Sequence, residues 1–532
     1  MAARRDEPAE KDIDEAVLSE TAPSSSAASA DPADTASHDI PMPQHLREAI
    51  SRDWDPAPPM VHPAAAGNAA SPAAAGNAAS PAAARIAEFT AARRARLSAE
   101  FADTVVVVPA GELRVRANDT DYPFRASSSF TWLTGETVAD AVLVMTPTRH
   151  GHDSTLYVRE YAQPGEVEYF TSRAHGAVWV GNVPSVADTA AVLGVATKPL
   201  AALADDLARF RATTTAMLHG FDATVDALTP GAEHDRLGQV LDELRLVKDE
   251  SELDRLRRAC EITARGFADV ARELPVIIDR PDVRGERWLE GTFWRRARLE
   301  GNEVGYTSIV GSGRHATTLH WWRNHGSIAN GQLLLADMGV ETDELYTADV
   351  TRTMPVGGEW SPAQLKVYRA VLEAQVTGIA EVKSGADFLA AHRAAMYIIA
   401  DHLHSWGILP VTADIACGDD PDRPGAGVHR RYTLHGTSHM LGIDVHDCAL
   451  AREETYRNGP LVAGNVLTVE PGLYFQVNDR SVPAELRGIG VRIEDDIVVT
   501  DGEPINLSAL LPREPADVTA WMREVQNTPA AP

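Results

Sequence analysis

The stretch QLLLADMGVETDELYTADVTRTMPV, residues 332–356, decides how this chain is built. It opens with an apolar run, LLLADMG, that ends in an aspartate. It closes with a β-rich run, YTADVTRTMPV, that carries a second aspartate inside it. VETDE between them is turn-like. Two β-rich runs around a polar turn predict a hairpin or short meander, which brings Asp337 and Asp349 onto facing strands.

Three other segments share this mixture of acids and apolar residues. In NVLTVEPGLYF (465–475), strand-like residues lead to Glu470 and then to a Pro-Gly turn. GIGVRIEDDIVVT (488–500) reads as a strand with Arg492 and Glu494 on one face, because side chains alternate with period two. HGTSHMLGIDVHD (435–447) holds three histidines and two aspartates among Met, Leu, Ile and Val. One aspartate in a strand is more often a turn residue or a helix cap. Four carboxylates inside apolar strands are a different matter, since each, unpaired, costs roughly several kcal/mol to bury. Arg352 and Arg492 are too few to neutralise Asp337, Asp349, Glu470 and Glu494. Divalent cations would. With His439 the set offers four oxygen ligands and one nitrogen, which suits a pair of Mn²⁺, Co²⁺, Fe²⁺ or Zn²⁺ ions bridged by carboxylates.

The bulk properties set limits. At 532 residues and 44% hydrophobic, the chain can form more than one large core. A net charge of -27 argues against a nucleic-acid partner, which wants a basic face. No run of about 18 apolar residues is present, so no membrane span is expected. MAARRDEPAEKDIDEAV at the start lacks an apolar stretch after its arginines, unlike a secretory signal. Cys260, Cys417 and Cys448 are scattered, forming neither a disulfide framework nor a zinc pattern. A cytoplasmic location is expected.

Residues 1–85 form an Ala/Pro-rich tail, with PAAAGNAAS repeated at 63–71 and 72–80, read as a disordered linker. PQHLREAISRDW (43–54) could form a short helix within it. From 86 to 246 a helix, buried strands such as TVVVVPAG and further helices predict an α/β domain with a mixed sheet. A polar stretch, RLVKDESE, marks the boundary near 246. The helix after it buries a stripe through Leu253, Leu256, Cys260, Thr263, Phe267 and Val270. The second domain, 247–510, alternates helices with strand pairs and reads as α+β. Within it Ser361, Pro362 and Gln364 form a capped helix start, and Gly407 ends a later helix. Residues 511–532 are expected to be a C-terminal tail.

The acid-bearing segments resemble the metallopeptidases of the pita-bread fold, a family that includes methionine aminopeptidase, prolidase, creatinase and aminopeptidase P. HGTSHMLGIDVHD, LTVEPGLY and GIGVRIEDDIVVT look most like the aminopeptidase P branch, and IVGSGRHATTLHW (309–321) is similar to a stretch of the same branch. DTDYPFRASSSFTWLTG (119–135) extends the likeness into the N-terminal domain. The resemblance runs from about 88 to 505 and leaves the tail unmatched. It implies a curved antiparallel sheet with outer helices and two metal ions inside the curve, Mn²⁺ by family habit, with Co²⁺ or Zn²⁺ as alternatives. Carried over, Asp337 is a terminal ligand, Asp349 and Glu494 bridge, and His439 and Glu470 share one ion. The two hairpin aspartates stand twelve apart, one more than in bacterial relatives, an insertion the VETDE turn can absorb.

The resemblance also assigns the neighbours. His446 and His320 contact the scissile carbonyl oxygen, His435 sits near the prolyl pocket, Glu470 shuttles the proton, and Arg492 orients the ligands. Asp444 and Asp447 read as supporting or loop-capping groups, and His402, His404 and His429 as helix-surface or loop residues. The implied reaction releases the first residue from peptides with proline second, through attack of a metal-bridged hydroxide on the Xaa-Pro bond. A prolidase limited to Xaa-Pro dipeptides is the alternative. A non-catalytic pita-bread binding module is a weaker one, because all five ligand positions are intact. Creatinase does not keep that ligand set, and methionine aminopeptidase normally lacks the first domain. The family habit implies a homodimer or homotetramer.

Overall fold

The structure, a computed structural model, describes residues 43–55, 62 and 81–528, apart from 119, 211, 212 and 419. The nine-residue repeat at 63–80 lies outside the described residues. The short helix expected near residue 43 forms over Gln44–Ile50.

The first domain is built on a buried run of valines. After α1 (Pro81–Glu100) comes β1 (Val105–Pro109), every residue of which is buried. A strand covered on both faces needs no polar alternation, which is why VVVVP reads as a continuous run. α2 (Ser128–Thr134) follows, capped by the Ser127 side chain, with Phe130 and Trp132 fully buried. β2 (Val142–Thr148), β3 (Gly151–Val158), β4 (Ala196–Pro199) and β5 (Thr215–Met217) complete a five-stranded sheet of order β4-β3-β2-β1-β5. β1, β2 and β3 pair antiparallel, and the two outer pairings are parallel, so the sheet is mixed. Between β4 and β5, Leu200–Ala202 form a 3₁₀ turn that leads into the helix Leu203–Ala208.

α3 (Asp235–Arg245) leads to the second domain, and α4 (Glu250–Ile277) opens it. The polar stretch between them hides a capping box, in which Asp249 accepts from the Glu252 backbone and Glu252 from that of Asp249. Leu256, Cys260, Thr263, Phe267 and Val270 of α4 are buried, and its partner is α5 (Gly285–Glu300). Next come β6 (Ile309–Ser312), β7 (Leu333–Asp337) and β8 (Thr351–Pro355), paired antiparallel in the order β8-β7-β6. α6 (Pro362–Ala380) starts with the Ser361–Gln364 capping box, and α7 (Ala390–Ser405) stops before Gly407, whose φ is +71°. β9 (Val466–Val469), β10 (Gly472–Tyr474), β11 (Gly490–Arg492) and β12 (Asp495–Val498) pair antiparallel as β9 with β12 and β10 with β11.

Three expectations change. The GIGVRIEDDIVVT run is not one strand: it breaks at Ile493 and Glu494 into β11 and β12, which pair with different partners. Asp349 is not inside a strand. β7 and β8 pair from Leu333↔Pro355 to Asp337↔Thr351, and Asp349 lies two residues ahead of β8. The chain between the strands makes its own excursion, where Val340 and Glu341 pair with Val304 and Glu303. The expected C-terminal tail is instead a helix, α8 (Pro515–Asn527). It has Pro515 at its first position and buries Val518 and Met522 in the core that α4 and α5 share. Among the described residues, no helix is long and apolar enough to cross a membrane.

Candidate metal centre

The site forms where two strand-to-strand turns meet the end of a hairpin. Glu470 follows β9 and Glu494 precedes β12, and those strands pair Val469↔Asp495, so the two glutamates emerge side by side. The Glu494 N–H donates to the Thr351 carbonyl at 3.1 Å, which joins this pair to the β7–β8 hairpin. The histidine segment runs along the free side of β9. The Thr468 N–H donates to the His439 carbonyl at 3.0 Å and the Glu470 N–H to that of Thr437 at 2.8 Å. Backbone pairing therefore places His439 beside Glu470 although they are far apart in sequence.

All nine residues singled out in the sequence line one cavity of about 970 Å³: Asp337, Asp349, His439, Glu470, Glu494, Arg492, His435, His446 and His320. Asp349, His439 and Glu494 each bring a ligand atom within 4.8 Å of the others. His439 Nε2 lies 3.3 Å from Asp349 Oδ2 and 3.6 Å from Glu470 Oε1. Its Nδ1 donates to the Met440 carbonyl at 3.1 Å, which turns Nε2 toward the acids.

The electrostatics show what the cluster lacks. Burial, followed by repulsion from Asp349, Glu470 and Asp337, drives the Glu494 carboxyl well above its ordinary value. Burial lifts Glu470 to about 7, against the pull of His439 and Arg492. Asp337 is also raised by burial, although Arg492 opposes it. Asp349 alone goes down. Burial is the largest effect and acts against it, but the hydrogen bond and charge of His439, with Tyr306 and Arg492, together outweigh burial. Burial disfavours the His439 cation, yet Asp349 and Glu470 hold that ring at about 9. Four carboxylates thus converge on one arginine and one imidazole, with His439 Nε2 aimed into the group. This donor set fits divalent cations, which prefer mixed carboxylate and imidazole ligands.

Several supporting residues escaped the sequence reading. Tyr306 donates its hydroxyl to Asp337 Oδ1 at 2.6 Å. Thr351 donates to Glu494 Oε2 at 2.6 Å and accepts from Arg492 Nε at 3.0 Å. The Asp349 N–H donates to Asp496 Oδ2 at 3.1 Å. Arg492 itself reaches Asp337 through Nη2 and the Tyr474 hydroxyl through Nη1 at 3.0 Å. Tyr474 lies in the GLY strand that follows Glu470, where alternation could have flagged it. Tyr306 gives no local signal.

The other histidines divide by surroundings. His435 Nδ1 donates to the Gly436 carbonyl at 2.7 Å and Nε2 accepts from Tyr474 at 2.8 Å, so the ring is neutral. Burial and the nearby Arg492 push it down to about 3. His446 lies edge-on to His439, ring centroids 4.3 Å apart, and is exposed to the cavity, as is His320. Asp447, read as a supporting group, is a buried anion paired with Arg245 and Lys248. His402 pairs with Glu373 on the helix surface, whereas His429 is buried rather than on an open loop.

Comparison with known proteins bears on both domains. Residues 254–501 match metallopeptidase family M24, and residues 90–219 match the aminopeptidase P N-terminal domain. Xaa-Pro aminopeptidase 1 of Streptomyces coelicolor is 47% identical over 444 residues, covering 82% of this chain and 87% of that protein. The Xaa-Pro aminopeptidase of Escherichia coli is 31% identical over 462 residues, covering 82% and 97%. Among solved structures, E. coli aminopeptidase P with the inhibitor Pro-Leu matches with a TM-score of 0.73 at 29% identity, over 83% of this chain and 99% of that one.

Proposed function

The chain belongs to metallopeptidase family M24 and is an Xaa-Pro aminopeptidase of the two-domain pita-bread fold, and from that premise we propose how its residues divide the work. The observation that carries the assignment of roles is the convergence of four undercompensated carboxylates and His439 Nε2 in one cavity. Asp337, Asp349, His439, Glu470 and Glu494 would hold two divalent ions, Mn²⁺ by family habit, with Co²⁺ and Zn²⁺ as competitors. Such ions supply Lewis-acid polarisation of a carbonyl and lower the pKa of water.

Glu470 is the proton carrier. Its carboxylate faces the cavity beside His439, where it can take a proton from the attacking water and deliver it toward the prolyl nitrogen. His446 and His320 stand at the exposed side of the cavity and donate to the scissile carbonyl oxygen as negative charge grows on it. His435, held neutral and fixed by Tyr474, offers a ring face to the proline. A tertiary Xaa-Pro amide has no N–H, so shape must carry this recognition. Arg492 ties Asp337, Thr351 and Tyr474 together and positions the acids.

The same reading divides the chain at 246, with an aminopeptidase P-like domain over 86–246 and the catalytic domain over 247–510. It takes the chain to be cytoplasmic and to assemble as a homodimer or homotetramer, as the family resemblance implies. The named relatives are Xaa-Pro aminopeptidases, which disfavours the prolidase alternative.

Mass spectrometry of Arg-Pro-Pro and Gly-Pro digests with Mn²⁺-loaded protein tests this. Arginine released from the tripeptide, and none with Asp349→Ala, is the expected result. Cleavage of Gly-Pro alone would move the assignment to prolidase, and no cleavage of either would favour a binding module.

A further inference from the structure

We infer that Arg125, from the first domain, is a positioning residue for the reaction, splinting the acid-bearing hairpin to the histidine loop across the domain boundary. Arg125 lies just ahead of α2 and well outside the cavity lining. Its Nε donates to Glu341 Oε2 at 2.6 Å, and its Nη2 donates to the Ile443 carbonyl at 2.8 Å. Nη1 donates to Ser128 Oγ at 3.1 Å and lies 3.4 Å from Asp444 Oδ1. Ser128 Oγ in turn donates to Asp444 at 2.5 Å.

The two ends of this bridge sit inside the site-bearing segments. Glu341 belongs to the excursion between Asp337 and Asp349. It is buried, and its other oxygen accepts from Asn302 at 2.8 Å. Ile443 lies between His439 and His446. The segments also touch directly, the Thr347 N–H donating to the Gly442 carbonyl at 3.0 Å. The Thr347 hydroxyl adds a longer bond to the Ile443 carbonyl at 3.4 Å, so one residue carries both of these bonds. A planar guanidinium that bonds both segments and is itself fixed by Ser128 braces this junction from the first domain. Its rigid fork explains why an arginine suits the place. A lysine ammonium is a point charge and cannot span Glu341 and the Ile443 carbonyl in the same fixed geometry.

The proposal rests on the role given to His446 above, since the loop beyond Ile443 carries that ring. Losing the splint should misplace His446 relative to the acids while leaving both domains folded. Misplacement of a group by about 1 Å can cost on the order of 100-fold in rate.

The test is a double-mutant cycle on the Mn²⁺-loaded full chain, with kcat and KM for Arg-Pro-Pro. Arg125→Ala should lower kcat roughly 10-fold or more with KM little changed, and Arg125→Lys should recover only part of it. In a His446→Ala background, Arg125→Ala should lower kcat by less than about 2-fold, because the group it positions is gone. Equal losses in both backgrounds would overturn the proposal. A fully active His446→Ala protein would instead count against the role of His446. Hydrogen exchange then decides on the splint independently of turnover. Faster deuterium uptake over residues 439–447 in both Arg125 variants, with uptake over 128–158 unchanged, supports it. Unchanged uptake over 439–447 sinks it, and Arg125→Lys covers the case in which the alanine variant folds poorly.

Discussion

Asp447 and Glu494 are both 1% exposed, yet their carboxyls are driven in opposite directions. Burial acts to raise each. At Asp447, Arg245 and Lys248 outweigh burial and hold the group well below its ordinary value. At Glu494, the neighbours are Asp349, Glu470 and Asp337, and they push the same way as burial. One buried acid is therefore complete within the chain, and the other waits for positive charge from outside. The first is structural, locking the end of the histidine loop to the linker between the domains. The second belongs to the cluster proposed to take divalent ions. The contrast shows that burial of a carboxylate says little until its counter-charges are counted.

Breaking the second cluster should have the largest effect. Asp349→Ala should lower kcat/KM by roughly 10³-fold or more, equivalent to several kcal/mol of transition-state stabilisation. Steady-state kinetics with Arg-Pro-Pro reads it. Breaking the first should appear in stability. Asp447→Ala leaves Lys248 buried without its anion, while Arg245 keeps Asp444 and Asp242, and breaking such a buried pair costs about 3–5 kcal/mol. Urea denaturation should show a lower midpoint, and no added divalent ion should restore it.

The two clusters should also answer pH differently. Glu470 has a folded value of about 7 against an ordinary 4.5, so its protonated form is favoured by folding. The stability it contributes is present below about 4.5 and is lost as pH rises through 7. Metal-stripped protein should therefore lose melting temperature between pH 5 and 8, and Mn²⁺ should reverse the loss. Asp447 has the opposite sign. Its contribution is present above the ordinary value of 3.8 and is lost only as pH falls further into acid. A flat melting profile from pH 5 to 8 in chelator would contradict the first half of this pairing.

A smaller effect sharpens the comparison. Tyr306→Phe removes a hydrogen bond to Asp337 but no charge, and should weaken ion binding roughly 10-fold. Calorimetric titration with Mn²⁺ would measure it. The smallest effect lies far from either cluster. Ser361→Ala should cost about 1 kcal/mol through its cap on α6, with activity unchanged.

The sequence reading recovered what local pattern encodes. Acids at the ends of apolar strands are visible because an ionisable group interrupts a run that otherwise reads as core. Ser361, Pro362 and Gln364 are visible because a cap is a contact within one turn. The capping box at Asp249 and Glu252 had the same form but was read only as a polar boundary. Asp349 was misplaced because hairpin rules assume a simple turn, whereas the 338–350 stretch pairs partly with residues 303 and 304. The C-terminal helix was missed for a related reason. Val518 and Met522 have helical spacing, but their burial depends on a groove beside α4 that no local pattern reveals. The same holds for Tyr306, Thr351 and Asp496, which matter through approaches across the fold. Asp447 was visible, but its partners Arg245 and Lys248 stand about two hundred residues away.

The central claim is that the Asp337–Asp349–His439–Glu470–Glu494 cluster is short of positive charge and takes two divalent ions. Equilibrium dialysis of metal-stripped protein against Mn²⁺ at pH 7, counted by inductively coupled plasma mass spectrometry, tests it directly. The account predicts two ions per chain with protons released on binding, and neither ion tightly held by Glu494→Ala. No bound ion, or two held as tightly by Glu494→Ala as by the unaltered chain, would contradict it.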